Sequence, residues 1–267
     1  MTLAQISLAQ GFRYEYPQPI TDLEQRLVVV PPLSHGAQRR VRRSLDVSVP
    51  VARWHEALDR FGNVIVSLSI PVVETSVSFD AEVVVEHRDA ALPHLVAPDP
   101  CLLRPTGLTA PDPALAAAAR RLRTGAGGRA LAERVCEWVH GALVYDEDAT
   151  DVATTAAEAL ALGRGVCQDS AHVMLTVCRS AGVAARYVSG HLLGQGGSHA
   201  WVEVLLDDGA AWEVLALDPC NGRETGPGYV TVAVGRDYAD VAPTSGTYNA
   251  PTSGFLRVTK RAEELAA

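Results

Sequence analysis

Three residues in the second half of the chain have the types needed for nucleophilic catalysis by a thiol. Cys167 follows a glycine-rich turn and opens a run that is typical of a helix ending near Gly182. At a helix start, unsatisfied N–H groups and the positive end of the helix dipole stabilise a thiolate. His199 and Asp218 lie on two later β-type runs, and a thiolate nucleophile requires such a base with an orienting acceptor. The set therefore predicts acyl transfer through a thioester.

The two runs that carry His199 and Asp218 are predicted to form a hairpin. Between them lies the segment 207–210, Asp-Asp-Gly-Ala, and Asp-Gly flanked by β-type runs is a strong hairpin signal. With Asp208 and Gly209 as the two turn residues, His199 lies directly opposite Asp218, with Cβ atoms about 5 Å apart. A four-residue loop over 207–210 gives the same pairing. A three-residue bulged loop shifts the pairing by one residue and separates the two side chains.

The expected resting state is a Cys167 thiolate paired with a His199 imidazolium. Attack on a carbonyl creates an oxyanion, and the backbone N–H of Cys167 is one donor for it. Two side chains are candidates for a second donor, Tyr145 first and Gln168 after it. His199 then protonates the leaving group, and water or an amine resolves the thioester. We expect no cofactor in this chemistry.

The other cysteines are expected to stay outside the chemistry. Five cysteines at irregular spacing do not form a disulfide framework, and Cys136 and Cys178 fall on helical stripes that predict core thiols. Cys220 lies near Asp218 in the sequence, where a redox-active thiol beside the site is one interpretation and an inert core thiol is the one we favour. A metal site has no support, since neither Cys-x-x-Cys nor His-Glu-x-x-His occurs; the residues weighed for it are Cys167, His172, His191, His199 and Cys220. We expect His172 to face outward from its helix and His191 to lie beside the cleft.

The composition excludes several classes of partner. The chain has 267 residues, 48% of them hydrophobic, and a formal net charge of −8. The chain can therefore bury a core. Its negative charge argues against nucleic acids and anionic membranes as partners, because both select basic surfaces. No signal peptide is recognised at the N-terminus, and no apolar run approaches the length of about eighteen residues that a membrane span needs. We expect a cytoplasmic protein with neither a nucleic acid nor a membrane as partner, and its oligomeric state stays open.

The elements that must position the site fall into two regions. In residues 1–104, short β-type runs recur about every ten residues between Pro, Gly and Asp, which predicts an antiparallel β-sandwich. Residues 105–128 form a predicted Pro/Gly-rich linker with one short helix, N-capped by Asp112 with Pro113 at its first position. Residues 129–267 are predicted to be the catalytic core, in which the nucleophile helix packs on an antiparallel sheet. The predicted fold class is α+β.

Four motifs resemble the bacterial transglutaminase-like family of the papain-like superfamily, whose members are often described as cysteine proteases. They are Gly-Val-Cys-Gln-Asp, Ala-Arg-Tyr-Val-Ser-Gly-His, His-Ala-Trp-Val-Glu-Val and Leu-Asp-Pro-Cys-Asn-Gly. Tyr-Glu-Tyr-Pro and Asp-Arg-Phe-Gly-Asn-Val in the first hundred residues are similar to the β-rich N-terminal region that accompanies this core. The segment 235–243 resembles the C-terminal signature of the family, so the resemblance covers nearly the whole chain.

The resemblance implies that the family's catalytic cysteine, histidine and aspartate fall on Cys167, His199 and Asp218. The same three residues are selected above without the resemblance, Cys167 by its place at a helix start and the other two by the predicted hairpin. Two positions depart from the family pattern. Gln168 stands where arginine is common, and Cys220 stands where threonine is usual. Neither departure removes one of the three residues.

Three functions are open on this sequence. We favour a thiol-dependent hydrolase that cleaves a peptide or amide bond, because water is always available whereas an acceptor groove must be built. The first alternative is a transglutaminase or peptide-linking acyl transferase, which passes the same thioester to an amine acceptor. The second is a non-catalytic binding protein on the same fold.

Overall fold

The computed structural model describes residues 5–88, 94–97, 99–207 and 212–265. In chain order the strands are β1 (Gln5–Glu15), β2 (Ile20–Leu27), β3 (Ser34–His35), β4 (Gln38–Val47), β5 (Arg53–Leu58), β6 (Val64–Val73), β7 (Ser76–His87), β8 (Leu95–Val96), β9 (Val144–Tyr145), β10 (Arg164–Gly165), β11 (Ala184–Leu192), β12 (His199–Asp207), β13 (Trp212–Asp218), β14 (Arg223–Glu224), β15 (Tyr229–Gly235), β16 (Thr244–Asn249) and β17 (Phe255–Leu265). The helices are α1 (Pro113–Arg123), α2 (Gly128–Ala142), α3 (Ala156–Leu162), α4 (Cys167–Ser180) and α5 (Tyr238–Val241), with a 3-10 turn at Pro100–Leu103.

The N-terminal region is a sandwich of two antiparallel sheets, as predicted. One sheet has the strand order β17-β1-β7-β4-β3 and the other β16-β2-β6-β5. Alternate residues of the central strands point inward, because successive side chains of a strand face opposite sides of the sheet. The largest inward side chains include Phe12, Leu23, Leu68, Ile70 and Phe79.

The last two strands of the chain complete this sandwich, so the prediction that the core extends to residue 267 is wrong. β17 pairs with β1 along its whole length, from Phe255 opposite Glu15 to Leu265 opposite Gln5. β16 pairs with β2. An alternating pattern predicts a strand but does not say which sheet the strand joins. The chain therefore leaves the sandwich, builds the core and returns.

The core places one helix against an antiparallel sheet of six strands, which agrees with the predicted α+β class. The sheet order is β14-β13-β12-β11-β15, with β8 also paired to β13. The helix α4 lies on β11 and β12, and α1, α2 and α3 pack around it. Every residue of α4 from Gln168 to Arg179 is buried. No helix among the described residues is long and apolar enough to cross a membrane.

The predicted linker is in part a core element. Asp112 caps α1, as predicted, by accepting from the backbone N–H of Leu115 over 2.8 Å. Leu115 and Leu122 of this helix are nevertheless buried in the same cluster as α4. The helix itself was predicted correctly, and only its assignment to a linker is wrong, because its apolar face packs in the core.

Buried amides join the sandwich to the core along strand β15. The side chain of Gln38 donates to the carbonyl of Thr231 and accepts from its N–H, both over 2.8 Å. Asn63 makes the same pair of bonds with Val234, over 2.7 and 2.8 Å. These side-chain amides take the place of a neighbouring strand, because they pair backbone N–H and C=O groups at the edge of the sheet. The two regions are thus held in a defined relation at the sheet that carries the candidate site.

Candidate active site

The helix α4 begins at Cys167 because a buried carboxylate fixes the turn before it. Asp169 accepts from the backbone N–H of Val166 over 2.8 Å and from the hydroxyl of Thr150 over 2.7 Å. A Cβ atom at Gly165 would lie 2.6 Å from the Asp169 carboxylate, so this turn requires glycine. The half-buried Cys167 is therefore held at the first helical position, where backbone N–H groups have no partner within the helix.

His199 and Asp218 lie at the ends of two neighbouring strands and are in direct contact. His199 opens β12 and Asp218 closes β13. The Nε2 atom of His199 lies 2.7 Å from Oδ2 of Asp218. His199 also interacts through its side chain with the thiol of Cys167. The structure therefore brings together the three residues that the sequence selected.

The hairpin register differs from the prediction by two residues. Asp207 pairs with Trp212, where the two-residue turn required Ala210 as its partner. The turn residues Asp208 and Gly209 themselves lie outside the described residues. A two-residue shift keeps every side chain on its predicted face, because the side-chain period of a strand is two. The contact between His199 and Asp218 therefore survives as a diagonal one.

Asp218 is fully buried and accepts five hydrogen bonds. Its Oδ2 atom accepts from His199, from the amide of Asn221 over 2.7 Å and from the hydroxyl of Tyr229 over 2.8 Å. Its Oδ1 atom accepts from the backbone N–H groups of Cys220 and Asn221, over 3.0 and 3.1 Å. Burial alone would raise the pKa of Asp218, but the bonds from His199, Asn221 and Tyr229 lower it. The carboxylate is therefore ionised and held in one orientation.

The surroundings of His199 favour its protonated form. Burial would lower the pKa of His199, but its hydrogen bonds to Asp218 and Cys167, with the charges of both, raise it to about 9. The imidazole side chain is 2% exposed. Its ring stacks on Trp201 with centroids 6.3 Å apart and contacts Tyr229 at 6.0 Å. Both aromatic residues belong to a buried core cluster, and they also fix the ring.

Gly190 makes room for this aromatic support. It pairs with His199 across β11 and β12 and lies at an irregularity in the pairing of β11 with β15. A Cβ atom there would overlap the carbonyl of Val230 and would lie 2.5 Å from Cη2 of Trp201. Glycine is thus required behind the ring that supports His199.

The two candidates for the second oxyanion donor have different surroundings. Tyr145 is 57% exposed and donates to the carboxylate of Glu147 over 3.2 Å. Burial, this bond and the charge of Cys167 together raise the pKa of Tyr145 to about 12, so its hydroxyl keeps its proton. Gln168 is buried and donates its amide to the carbonyl of Val152 over 3.3 Å. Of the two, Tyr145 has the more accessible donor.

Cys220 lies beside the candidate site and is half-buried, like Cys167. Its carbonyl accepts from Nδ1 of His140 over 3.0 Å, which fixes the chain just after Asp218. Burial, together with the charges of Cys167 and Asp218, raises the pKa of Cys220 to about 12. The thiol therefore stays protonated at neutral pH, which agrees with the inert role expected for it.

The structure contradicts the expected position of one histidine, His172, and shows that His191 is buried. His172 is fully buried, because α4 is enclosed on all sides, so the expectation that it faces outward is wrong. It contacts Tyr187 with ring centroids 5.3 Å apart. His191 is 1% exposed, and burial lowers its pKa to about 4. Cys136 and Cys178 are core thiols, as predicted.

Sequence reasoning missed Lys260, the only lysine of the chain. It lies on β17, and its Nζ atom lies 5.6 Å from the centroid of the Phe12 ring. Burial lowers the pKa of Lys260, whereas the charge of Cys167 raises it. The sandwich therefore contributes a cation that interacts with the candidate nucleophile. The sequence marks Lys260 only as the single lysine among many arginines. That feature does not indicate that the residue lies near a catalytic motif.

A thiol at a helix start, beside a histidine and a carboxylate on an antiparallel sheet, is the arrangement of a family of Cys-based hydrolases and transferases. The chain belongs to the transglutaminase-like superfamily. Residues 116–218 match the transglutaminase-like core, and residues 7–86 match the bacterial transglutaminase-like N-terminal region.

The chain is also similar to individual proteins of several bacteria. An uncharacterized protein of Mycobacterium leprae is 30% identical over 278 residues, covering 96% of each chain. An uncharacterized protein of Mycobacterium tuberculosis is 37% identical over 114 residues, covering 38% of this chain and 36% of that one. A crystal structure named "Putative Cysteine Protease" from Cytophaga hutchinsonii has a TM-score of 0.81 at 20% identity and covers all of this chain and 92% of that one. At this identity the likeness establishes the fold.

Proposed function

We propose that this protein is a thiol-dependent hydrolase that cleaves a peptide or amide bond. One observation carries the proposal. His199 interacts with the thiol of Cys167 and is hydrogen-bonded to Asp218 over 2.7 Å. A thiol with a base, and a base with an orienting carboxylate, is the arrangement that activates a nucleophile and returns its proton. The family supports a Cys-based hydrolase or transferase, and hydrolysis is the specific reaction proposed.

The three residues act in two half-reactions. The thiolate of Cys167 attacks the carbonyl carbon, and the electron pair of the C=O bond moves onto oxygen. The imidazolium of His199 then protonates the amine, which leaves as the C=O bond re-forms, and a thioester remains. Next, His199 takes a proton from water, the hydroxide adds to the thioester, and Cys167 leaves as a thiolate. Asp218 keeps the ring oriented and stabilises its charge throughout.

The oxyanion of each tetrahedral intermediate needs donors that are already in place. The backbone N–H of Cys167 is one, since α4 begins there. We assign the second to the hydroxyl of Tyr145, which keeps its proton and interacts electrostatically with Cys167. Tyr145 has to release Glu147 to donate there, and Gln168 is the weaker candidate because its side chain is buried.

A library of peptides and amides tests the proposal. We expect hydrolysis by the wild type and by Cys101→Ala, a variant that removes a buried thiol in a separate core cluster. Cys167→Ala should lower the rate by a factor on the order of 10⁴. A slow substrate should also leave an acyl group on Cys167 that mass spectrometry detects. Hydrolysis that is equally fast in Cys167→Ala would overturn the proposal.

A second experiment separates hydrolysis from acyl transfer. The protein is incubated with a glutamine-containing casein and a fluorescent primary amine. We expect no incorporation of the amine above that seen with Cys167→Ala. Covalent incorporation that requires Cys167 would replace the hydrolase by a transglutaminase. Binding of library members without any acyl-enzyme would instead favour a non-catalytic binding protein.

A further inference from the structure

A cavity lies between the sandwich and the core, lined by residues of β3, β8, β11 and β15. Its volume is about 650 Å³. The residues that line it come from both regions and include His35, Asn63, His94, Arg186 and Thr231. Glu203 lies against this lining through its bonds to His35 and Arg186. The proposed hydrolase chemistry uses none of these side chains.

Two imidazoles and one carboxylate converge at this cavity. The ligand-type atoms of His35, His94 and Glu203 all lie within 4.8 Å of one another. His35 Nε2 lies 2.6 Å from Oε1 of Glu203, and the two imidazole rings meet edge to face with centroids 4.7 Å apart. Glu203 is 2% exposed. A buried carboxylate beside two histidines is a donor set for a borderline-soft cation.

We propose that His35, His94 and Glu203 bind a divalent transition-metal ion, with zinc as the best fit, at the junction of the sandwich and the core. Two nitrogen ligands and one oxygen ligand leave a fourth tetrahedral position for water. Zinc bonds of about 2.0–2.1 Å set ligand atoms roughly 3.3 Å apart. The three side chains therefore need to close by an ångström or so, which rotation of the two histidines can supply.

The surroundings of Glu203 are arranged for this role. Arg186 donates its Nε–H to Oε2 of Glu203 over 2.6 Å, which orients the carboxylate and leaves Oε1 toward the histidines. Such outer contacts fix the direction of a ligand and tune its affinity. The hydrogen bond between His35 and Glu203 opens when the ion binds, because the ion takes the place of the hydrogen between Nε2 and Oε1.

The three ligands come from three separate segments. His35 lies in the hairpin of β3 and β4, His94 lies just before β8, and Glu203 lies on β12 of the core. A metal ion shared by them would tie the sandwich to the core and would stabilise the folded chain by mass action. Glu203 is four residues from His199 along β12, roughly 13 Å at the usual rise. The ion would therefore lie apart from the candidate thiol site.

Zinc titration of the full chain tests the site. The Cys167→Ser, Cys220→Ser double variant serves as background, because these thiols could bind zinc themselves. We expect one equivalent to bind by calorimetry, and Tm to rise by roughly 5 °C at a hundredfold excess over Kd. Cobalt should give a tetrahedral visible spectrum. His94→Gln should weaken binding at least tenfold, whereas His55→Gln, on the exposed strand β5, should not.

A second measurement needs no substitution in the cluster. Zinc should protect His35 and His94, but not His55, from acylation by diethyl pyrocarbonate, as mapped on peptides. Equal protection of all three, no binding at one equivalent, or unchanged affinity in His94→Gln would each overturn the proposal. Chelation should lower Tm and leave the rate of thiol-dependent hydrolysis unchanged, so failure of the metal site and failure of the proposed function are distinguishable.

Discussion

His199 and Asp218 are joined by a 2.7 Å hydrogen bond although they are two residues out of register across the hairpin. The bond forms because both side chains lie on one face of the sheet and because Asp218 ends its strand. Tyr229 and Asn221 reach the same carboxylate oxygen from other directions. The orientation of His199 therefore depends on a cluster around Asp218 more than on the strand pairing alone.

Tyr229→Phe tests that dependence. Loss of the hydroxyl removes one charge-assisted bond to Asp218 and loosens the carboxylate that orients His199. Such bonds contribute about 1.5–3 kcal/mol, so we expect kcat/KM to fall by roughly tenfold, with kcat more affected than KM. Tyr248→Phe removes a hydroxyl that bonds the carbonyl of Thr252 in the sandwich. An equal loss of activity in both variants would assign the effect to folding.

The raised pKa of His199 predicts how stability depends on pH. The folded pKa, about 9, exceeds the ordinary value of 6.5, so the folded state binds the proton more tightly. The protonated His199 therefore adds to the free energy of unfolding, on the order of 3 kcal/mol. This stabilisation is complete below pH 6.5 and is lost as the pH rises through 9. Urea unfolding of the wild type and His199→Gln at pH 6, 7.5 and 9.5 measures it. A difference between the two that stays constant with pH would contradict the raised pKa.

Gly190→Ala tests the support behind the ring. The added methyl group would displace Trp201 and the carbonyl of Val230. Overpacking of this kind costs about 1–3 kcal/mol, so we expect a lower Tm and slower alkylation of Cys167. Gly196→Ala is the control, since a Cβ atom there meets nothing within 4 Å. A Tm in Gly190→Ala equal to that of the control would show that the close packing is not required.

Lys260 should affect the reactivity of the thiol. Its ammonium interacts with Cys167, so removing the charge in Lys260→Gln should slow the reaction of Cys167 with iodoacetamide at pH 7 by a few fold. Lys260→Arg retains the charge and should keep more of the rate. If the two variants react equally, the effect comes from packing against Phe12 and not from charge.

Much of the fold follows from local patterns, and the errors come from long-range pairing. The alternation in the first hundred residues predicts the sandwich, and the Gly-Val-Cys-Gln-Asp turn predicts the start of α4. Nothing local shows that β16 and β17 return to the sandwich, because alternation carries no information about the partner strand. The hairpin register was wrong because the Asp-Gly signal does not determine loop length. The cluster around Asp218 was missed because Tyr229 joins it from a separate strand.

The central claim is that His199 activates Cys167, and thiol alkylation tests it most directly. The five thiols are labelled with iodoacetamide at pH 7, and the rates are read from mapped peptides. Because burial alone slows the core thiols, the half-buried Cys220 is the internal reference. We predict that Cys167 reacts at least about tenfold faster than Cys220 and that His199→Ala abolishes this difference. Equal rates in the wild type, or a Cys167 rate unchanged in His199→Ala, would contradict the account.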